Sequence, residues 1–288
     1  MQNEAVQLTP LELPQAESQA VHLHLSFSQL NTYLMCPMKY AHHYVYGTPW
    51  ETKPAALAFG KAIHKTAEAY YTALMQTGEI LPVEKLQDTF QSVFLGEAKR
   101  GDMPLSFKKG EDLETLRDMG KALVELFDEN AQPQKIVAVE FPFSVKVPDL
   151  RNGGNLPVRL EGVFDLVESD SEQTYAVVEL KTAAQRFSSV RLAFDQQATV
   201  YSYAMSRMKV ATSDQSCLVR YDVLLKTKKP AFEQYFVTRT TEDHQRLIQL
   251  INEVLRAIEE RVFYRRMDWQ CNDCQFRKAC LGGKEVNP

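Results

Sequence analysis

The segment Tyr175-Ala-Val-Val-Glu-Leu-Lys-Thr182 reads as a buried β-strand interrupted by two charges, Glu179 and Lys181. Side chains alternate between the two faces of a strand, so Glu179 and Lys181 point the same way as Val177 and Tyr175. A carboxylate and an ammonium at the end of an apolar strand are costly to bury unless they pair or bind something. Taken alone, the fragment is an ion pair at a strand terminus.

The neighbouring segments change that reading. Lys135 to Val147, Leu156 to Glu168 and Thr174 to Lys181 read as three strands, with turns at Asn152-Gly-Gly-Asn155 and Ser169-Asp-Ser-Glu172. Leu160-Glu-Gly-Val-Phe-Asp-Leu-Val167 is apolar on both faces, as in an interior strand, so Glu161 and Asp165 are anomalies. A hairpin brings Asp165 beside Glu179. Two carboxylates there repel, which raises a pKa or calls for a cation. Mg²⁺ and Mn²⁺ favour such oxygen ligands, and His64 adds a nitrogen. A metal so held polarises a phosphate and helps generate a hydroxide nucleophile. Lys181 then holds the attacking water or neutralises charge that grows in the transition state. Singly, Asp165 and Lys181 make a plain salt bridge and His64 a satisfied helix residue; jointly they point to hydrolysis.

The strands stand among helices. Ser26 is placed to cap a short helix that Pro37 ends or redirects, with an aromatic segment from Met38 to Tyr46 after it. Ala55 to Met75 reads as a helix carrying His64 and Glu68 one turn apart, and Val83 to Lys99 and Glu111 to Asn130 as two more. Leu192 to Met208 is a helix before a strand from Cys217 to Leu225, which predicts a right-handed parallel crossover. Lys226 to Pro230 is turn-like and Phe232 to Val237 a hairpin strand. Glu242 to Arg265 is a final amphipathic helix. The expected division is a disordered tail over 1–25, a helical lobe over 26–134, an α/β core over 135–240, and a C-terminal helix with a cysteine cluster over 241–288.

Composition sets the bounds. The chain has 288 residues, 44% hydrophobic and 24% charged, an ordinary globular balance with room for a sizeable core. No apolar run is long enough to span a membrane. Met1 to Ala20 lacks the basic and apolar regions of a secretory signal, so the expectation is a cytoplasmic protein. The formal net charge of −4 argues against indiscriminate nucleic-acid coating and leaves room for a local basic groove. No phosphate-cradling Gly-x-x-x-x-Gly-Lys-Ser/Thr motif is present, hence no evident ATP motor.

Five cysteines, an odd number, make a disulfide framework unsuited to this chain. Cys271-Asn-Asp-Cys274 is followed by Cys280, and Cys36 stands before Pro37 near the other end. Zinc is the default for paired thiols at this spacing, while four cysteines equally hold an iron–sulfur cluster; spacing does not choose. Cys217 reads as a small core residue.

These motifs carry a family resemblance. Gly162-Val-Phe-Asp165 followed by Glu179-Leu-Lys181 resembles the core signature of the PD-(D/E)XK nuclease superfamily. Gly60-Lys-Ala-Ile-His64 resembles the upstream histidine motif of its RecB-like branch, and Gln197-Ala-Thr-Val-Tyr201 its glutamine-to-tyrosine helix motif. Order and spacing agree over roughly Phe59 to Tyr201. Phe164 occupies the position of the proline in the superfamily's name, a proline often absent in this branch.

The resemblance implies a restriction-endonuclease-like α/β core, a mixed central sheet flanked by helices, that hydrolyses DNA phosphodiester bonds. It makes His64, Asp165, Glu179 and the Leu180 carbonyl ligands of Mg²⁺ or Mn²⁺, and Lys181 the catalytic lysine. Gln197 and Tyr201 line the site near the DNA, and Glu68 and Glu140 are auxiliary acids or solvated charges. Cys36, Cys271, Cys274 and Cys280 match the four-iron four-sulfur cysteines of AddB-type helicase–nucleases and CRISPR-associated exonucleases, with zinc as the alternative. Size and cysteine layout imply an exonuclease on single-stranded DNA or DNA ends, working in recombination, repair or CRISPR adaptation, with protein partners there.

Basic and aromatic residues are interleaved near both ends of the chain. Arg256, Arg261, Arg265, Arg266, Arg277 and Lys278, with Lys108 and Lys109, are candidates to track a phosphate backbone. Tyr40, Tyr44, Tyr46, Phe263, Tyr264, Trp269 and Phe276 either stack on bases or shield the cysteines. Two rival readings are a DNA-binding structural subunit with little activity and a zinc-ribbon interaction module.

Overall fold

The computed structural model describes residues 24–99, 103–170, 174–208 and 218–282. The expected tail (apart from residues 24 and 25) and Cys217 lie outside them. In chain order come β1 (Leu25–Ser26), α1 (Phe27–Met35), α2 (Pro37–Tyr40) and a π-helical turn at Ala41–Val45. β2 (Lys53–Pro54), α3 (Ala55–Thr77), α4 (Val83–Lys99), β3 (Leu105–Ser106) and α5 (Leu113–Asn130) follow. Next are β4 (Lys135–Pro148), β5 (Asn155–Ser169), β6 (Tyr175–Ala183), α6 (Ser189–Ala193), α7 (Gln196–Arg207), β7 (Leu218–Leu225) and β8 (Ala231–Val237). α8 (Thr241–Glu259), a 3₁₀ turn at Trp269–Cys271 and α9 (Arg277–Cys280) complete the described chain.

Local chemistry explains the boundaries. The Ser26 side chain accepts the N–H of Gln29 and caps α1, while Pro37, lacking an N–H, opens α2 at its first turn. Asp112 with Thr115 and Thr240 with Asp243 form capping boxes on α5 and α8. Two helices differ from expectation. The helix expected over 192–208 is two helices, because Asp195 leaves the helical path and caps α7 through the N–H of Ala198. The last helix stops at Glu259 rather than Arg265, where Arg261 takes a left-handed backbone with φ 55°.

One mixed sheet organises the molecule, in the order β1-β5-β6-β7-β8, with β4 on the other edge of β5. β4–β5, β5–β6 and β7–β8 are antiparallel; β6 and β7 are parallel and joined through α6 and α7, as the strand–helix–strand pattern predicts. Helices cover both faces. Val177, Val219, Val223 and Leu160 pack with α1, α7 and α8, while Val178, Leu180, Leu166 and Leu224 pack with α3, α4 and α5. The alternation read from the opening strand is therefore the division between two core layers.

Two further features hold the frame. On the α3 face, buried Arg220 of β7 forks between Asp222 (Nε to Oδ1, 2.9 Å) and Glu168 of β5, clasping strands on either side of β6. At the other extreme, the ends of the chain are stitched together. Tyr33 donates to the Val262 carbonyl at 2.8 Å, the Met38 N–H to Tyr264 at 3.1 Å, and Arg266 to the Leu34 carbonyl at 3.2 Å. Among the described residues no helix is long and apolar enough to cross a membrane.

Candidate active site

A strand has two edges, and β5 uses them unequally. One edge pairs with β4 over almost its whole length. On the other, β1 pairs with residues 160 and 161 and β6 with residues 166–169. Residues 162–165 therefore border a notch between β1 and β6, and the Gly162-Val-Phe-Asp165 motif lies in it. Asp165 Oδ2 accepts the N–H of Leu180 at 2.9 Å, and the Tyr201 hydroxyl lies 3.1 Å from the Val163 carbonyl. Gly162 has a steric reason. A Cβ there would come within 2.5 Å of the Phe143 ring, which crosses the glycine and stacks on Phe164 at 4.6 Å. Phe164 in turn meets Tyr201 edge-on at 5.1 Å.

Three elements meet at the notch. α3 brings His64, whose Nδ1 lies 3.3 Å from Asp165 Oδ1. β4 brings Glu140, which register sets opposite Asp165, between the pairs Val139–Leu166 and Phe141–Phe164. Glu140 has φ 46°, a left-handed conformation that costs on the order of 1–3 kcal/mol for a residue with a side chain. One nitrogen or oxygen from each of His64, Glu140 and Asp165 lies within 4.8 Å of the other two, the only such group of three or more His, Cys, Asp or Glu among the described residues. One imidazole and two carboxylates are a donor set suited to a hard divalent cation.

Glu179 stands beside this group but is engaged differently. It is 4% exposed, and its Oε1 receives Lys181 Nζ at 2.5 Å and Gln197 Nε2 at 2.8 Å. Its Oε2 receives the Tyr201 hydroxyl at 2.7 Å, and Gln197 Nε2 also reaches that hydroxyl at 2.9 Å. Gln197 and Tyr201, one turn apart on α7, thus grip the carboxylate from the sheet's other layer. Burial raises the pKa of Glu179; Lys181 opposes the rise and Asp165 adds to it. Burial also raises Glu140, with Asp165 and Glu68 adding repulsion. For His64, burial works against the charged form. The hydrogen bond and charge of Asp165, with the charge of Glu179, outweigh it, and the pKa rises.

Glu140 joins His64 and Asp165 in the compact group, while Glu179 stands beside it, facing the α7 layer and held by Lys181, Gln197 and Tyr201. Sequence alternation gave Glu140 no distinction from a solvated strand residue; only its backbone turns it inward. Glu68 is tied to Lys65 on the exposed side of α3.

The four cysteines of the predicted cluster line one cavity, together with Lys39, His42 and Arg265. Cys36 is buried and the other three are half-buried. Several aromatic rings expected near them form a wall rather than an open track. His42 stacks on Phe276 at 5.5 Å, Trp50 meets Phe276 edge-on, and Tyr40 stacks on Phe263 at 6.3 Å. Trp269 and Tyr264 remain exposed. Arg256 pairs with Glu253 on the surface of α8, and Lys278 with Glu51.

Comparison with known proteins supplies the family. No curated protein matches the chain in sequence. A "Putative exonuclease" from Eubacterium rectale, solved by crystallography, is 15% identical, with a TM-score of 0.49 over 99% of this chain and 96% of that one. The crystal structure of SSO0001 is 12% identical, with a TM-score of 0.35 over 90% of this chain and 94% of that one. The family model described as the PD-(D/E)XK nuclease superfamily matches residues 24–281, nearly the whole chain and every element above. By that match the chain belongs to the PD-(D/E)XK nuclease superfamily.

Proposed function

We propose that the protein is a RecB-like, metal-dependent deoxyribonuclease that works as an exonuclease on single-stranded DNA or DNA ends. The observation that carries the reading is the convergence of His64, Glu140 and Asp165 beside the Glu179–Lys181 pair. The donor set fits the divalent cation that nucleases of this superfamily use. His64, Asp165 and Glu140 would hold it, with Glu179 and the Leu180 carbonyl completing the site from β6. Mg²⁺ or Mn²⁺ there supplies Lewis acidity toward a phosphate and eases the loss of a proton from water.

The chain's own residues do the rest. Lys181 Nζ, tethered to Glu179, offers positive charge where negative charge grows on the phosphate. Gln197 and Tyr201 position Glu179, and the Leu180 N–H positions Asp165. The α-helical segment 26–134 contributes His64, the α/β segment 135–240 the acids and Lys181, and segment 241–288 with Cys36 a structural four-iron four-sulfur cluster.

The deciding experiment is a time course with end-labelled single- and double-stranded DNA in Mg²⁺ or Mn²⁺, wild type beside Asp165→Ala. Stepwise shortening by wild type alone is expected. Intact DNA with folded, metal-loaded wild type would leave a DNA-binding subunit as the better reading.

A further inference from the structure

Lys226 is a half-buried cation for which the site described above has no use. It directly follows β7, and its N–H donates to the Ala183 carbonyl of β6 at 2.7 Å, so it lies at the end of the sheet that carries Lys181. Val223 is in register with Lys181, which puts Lys226 about 10 Å further along the strand direction. Its ammonium stands 4.8 Å from the centroid of the Phe59 ring. Phe59 and His64 share α3 and are separated by about 7.5 Å of helix axis. Lys226 is thus on the same side of the sheet as His64, within a short oligonucleotide's reach of it.

Among the described residues Lys226 has no ion-pair partner. Lys53 and Lys61 both bind Glu97, and Lys65 binds Glu68, yet no described carboxylate lies within 4 Å of the ammonium of Lys226. The same holds for exposed Lys228 and Lys229 in the β7–β8 turn and for exposed Lys108 and Lys109 in the loop after β3. Burial lowers the pKa of Lys226, Glu111 opposes the change and Lys108 adds to it, so the two basic loops feel each other. A cation with an aromatic floor, no carboxylate in contact and cationic neighbours is stabilised by an incoming anion, Glu111 offsetting the neighbours only in part.

We infer that Lys226, with the Lys228–Lys229 turn and the Lys108–Lys109 loop, forms a backbone-phosphate clamp. It would hold the nucleic-acid strand on the α3 side of the site, beyond the nucleotide being cut. The inference rests on the nuclease reading and adds the direction in which the substrate leaves the site. Phosphate contacts position a strand without reading its sequence.

The test is fluorescence anisotropy of a labelled single-stranded oligonucleotide, in EDTA, over a series of KCl concentrations. Lys226→Met keeps the stem over Phe59 and removes the charge; Lys226→Arg restores it. Lys226→Met should weaken binding about three- to ten-fold and flatten the slope of log affinity against log salt by about 0.7, the value for one single-strand phosphate contact. Lys226→Arg should behave as wild type. Wild-type affinity and slope in Lys226→Met would overturn the clamp while leaving cleavage, and so the nuclease reading, intact. If wild type binds no DNA at all, both fall together. Should Lys226→Met fail to fold, the exposed pair Lys228→Gln and Lys229→Gln decides, with a loss of slope of about 1.4 expected for two phosphate contacts and an unchanged slope overturning the clamp.

Discussion

Asp165 Oδ2 accepts the backbone N–H of Leu180 at 2.9 Å, just past the point where the ladder between β5 and β6 has ended at Leu166 and Val178. The carboxylate thus replaces a missing strand partner with one oxygen and faces His64 with the other. Asp165→Asn keeps an acceptor for the N–H, whereas Asp165→Ala strands it. Cleavage should be lost in both. Only the alanine variant should lose stability as well, by about 1–3 kcal/mol in urea unfolding. Equal stability of the two variants would mean that the hydrogen bond is not structural.

Lys181→Ala should bind DNA almost as wild type does and cut it about 10²–10³-fold more slowly, the scale for one group that stabilises transition-state charge. Single-turnover rates at saturating enzyme separate binding from cutting. Unchanged cutting would remove Lys181 from the mechanism.

Tyr201→Phe takes one donor from the most buried carboxylate of the site. A hydrogen bond to a charged group contributes about 1.5–3 kcal/mol, and the loss should appear as a lower urea midpoint with unchanged m-value. A smaller fall in cleavage rate should accompany it, since Gln197 and Lys181 still hold Glu179.

Glu97 gives a pH signature outside the candidate metal group. Hydrogen bonds from Lys53 and Lys61 hold its carboxyl down to about 2, against an ordinary 4.5. A depressed folded-state pKa contributes stability that is full above the ordinary value and is lost as pH falls from about 4.5 through about 2. The stability difference between wild type and Glu97→Gln should therefore be largest at neutral pH and shrink toward about pH 3. A difference that does not move with pH would contradict the linkage.

Cys271→Ala should lose colour, iron and stability together if the cysteine cavity holds an iron–sulfur cluster. Iron and sulfide analysis of anaerobically purified protein reads this directly. Stoichiometric zinc without sulfide in wild type would favour the smaller metal.

The sheet is legible because its strands alternate or run apolar with few exceptions; some of these, such as Glu161 and the Glu168–Arg220–Asp222 clasp, lie outside the candidate site and others lie in it. Asp165, Glu179 and Lys181 stood out against that background, and Gln197 and Tyr201 stood one helical turn apart. Glu140 did not stand out, because a glutamate between apolar strand residues is what an outward-facing position looks like. Its left-handed backbone has no signature in Val-Ala-Val-Glu-Phe. The break at Phe194 and Asp195 was hidden for a similar reason: the helical periodicity of α6 runs into that of α7, and one aspartate cap separates them. Lys226 looked like a turn residue since nothing local announces Phe59, which is brought to it by packing across the sheet.

The seam between α1 and the segment after α8 joins residues as far apart as 232 positions, from Leu34 to Arg266. A chain leaving the ribosome can close it only when the last of these residues has emerged. Until then Leu30 and Tyr33 wait without their C-terminal partners. A nonsense product ending before Val262 would retain His64, Asp165, Glu179 and Lys181 yet lack the latch that ties α1 to the C-terminal segment.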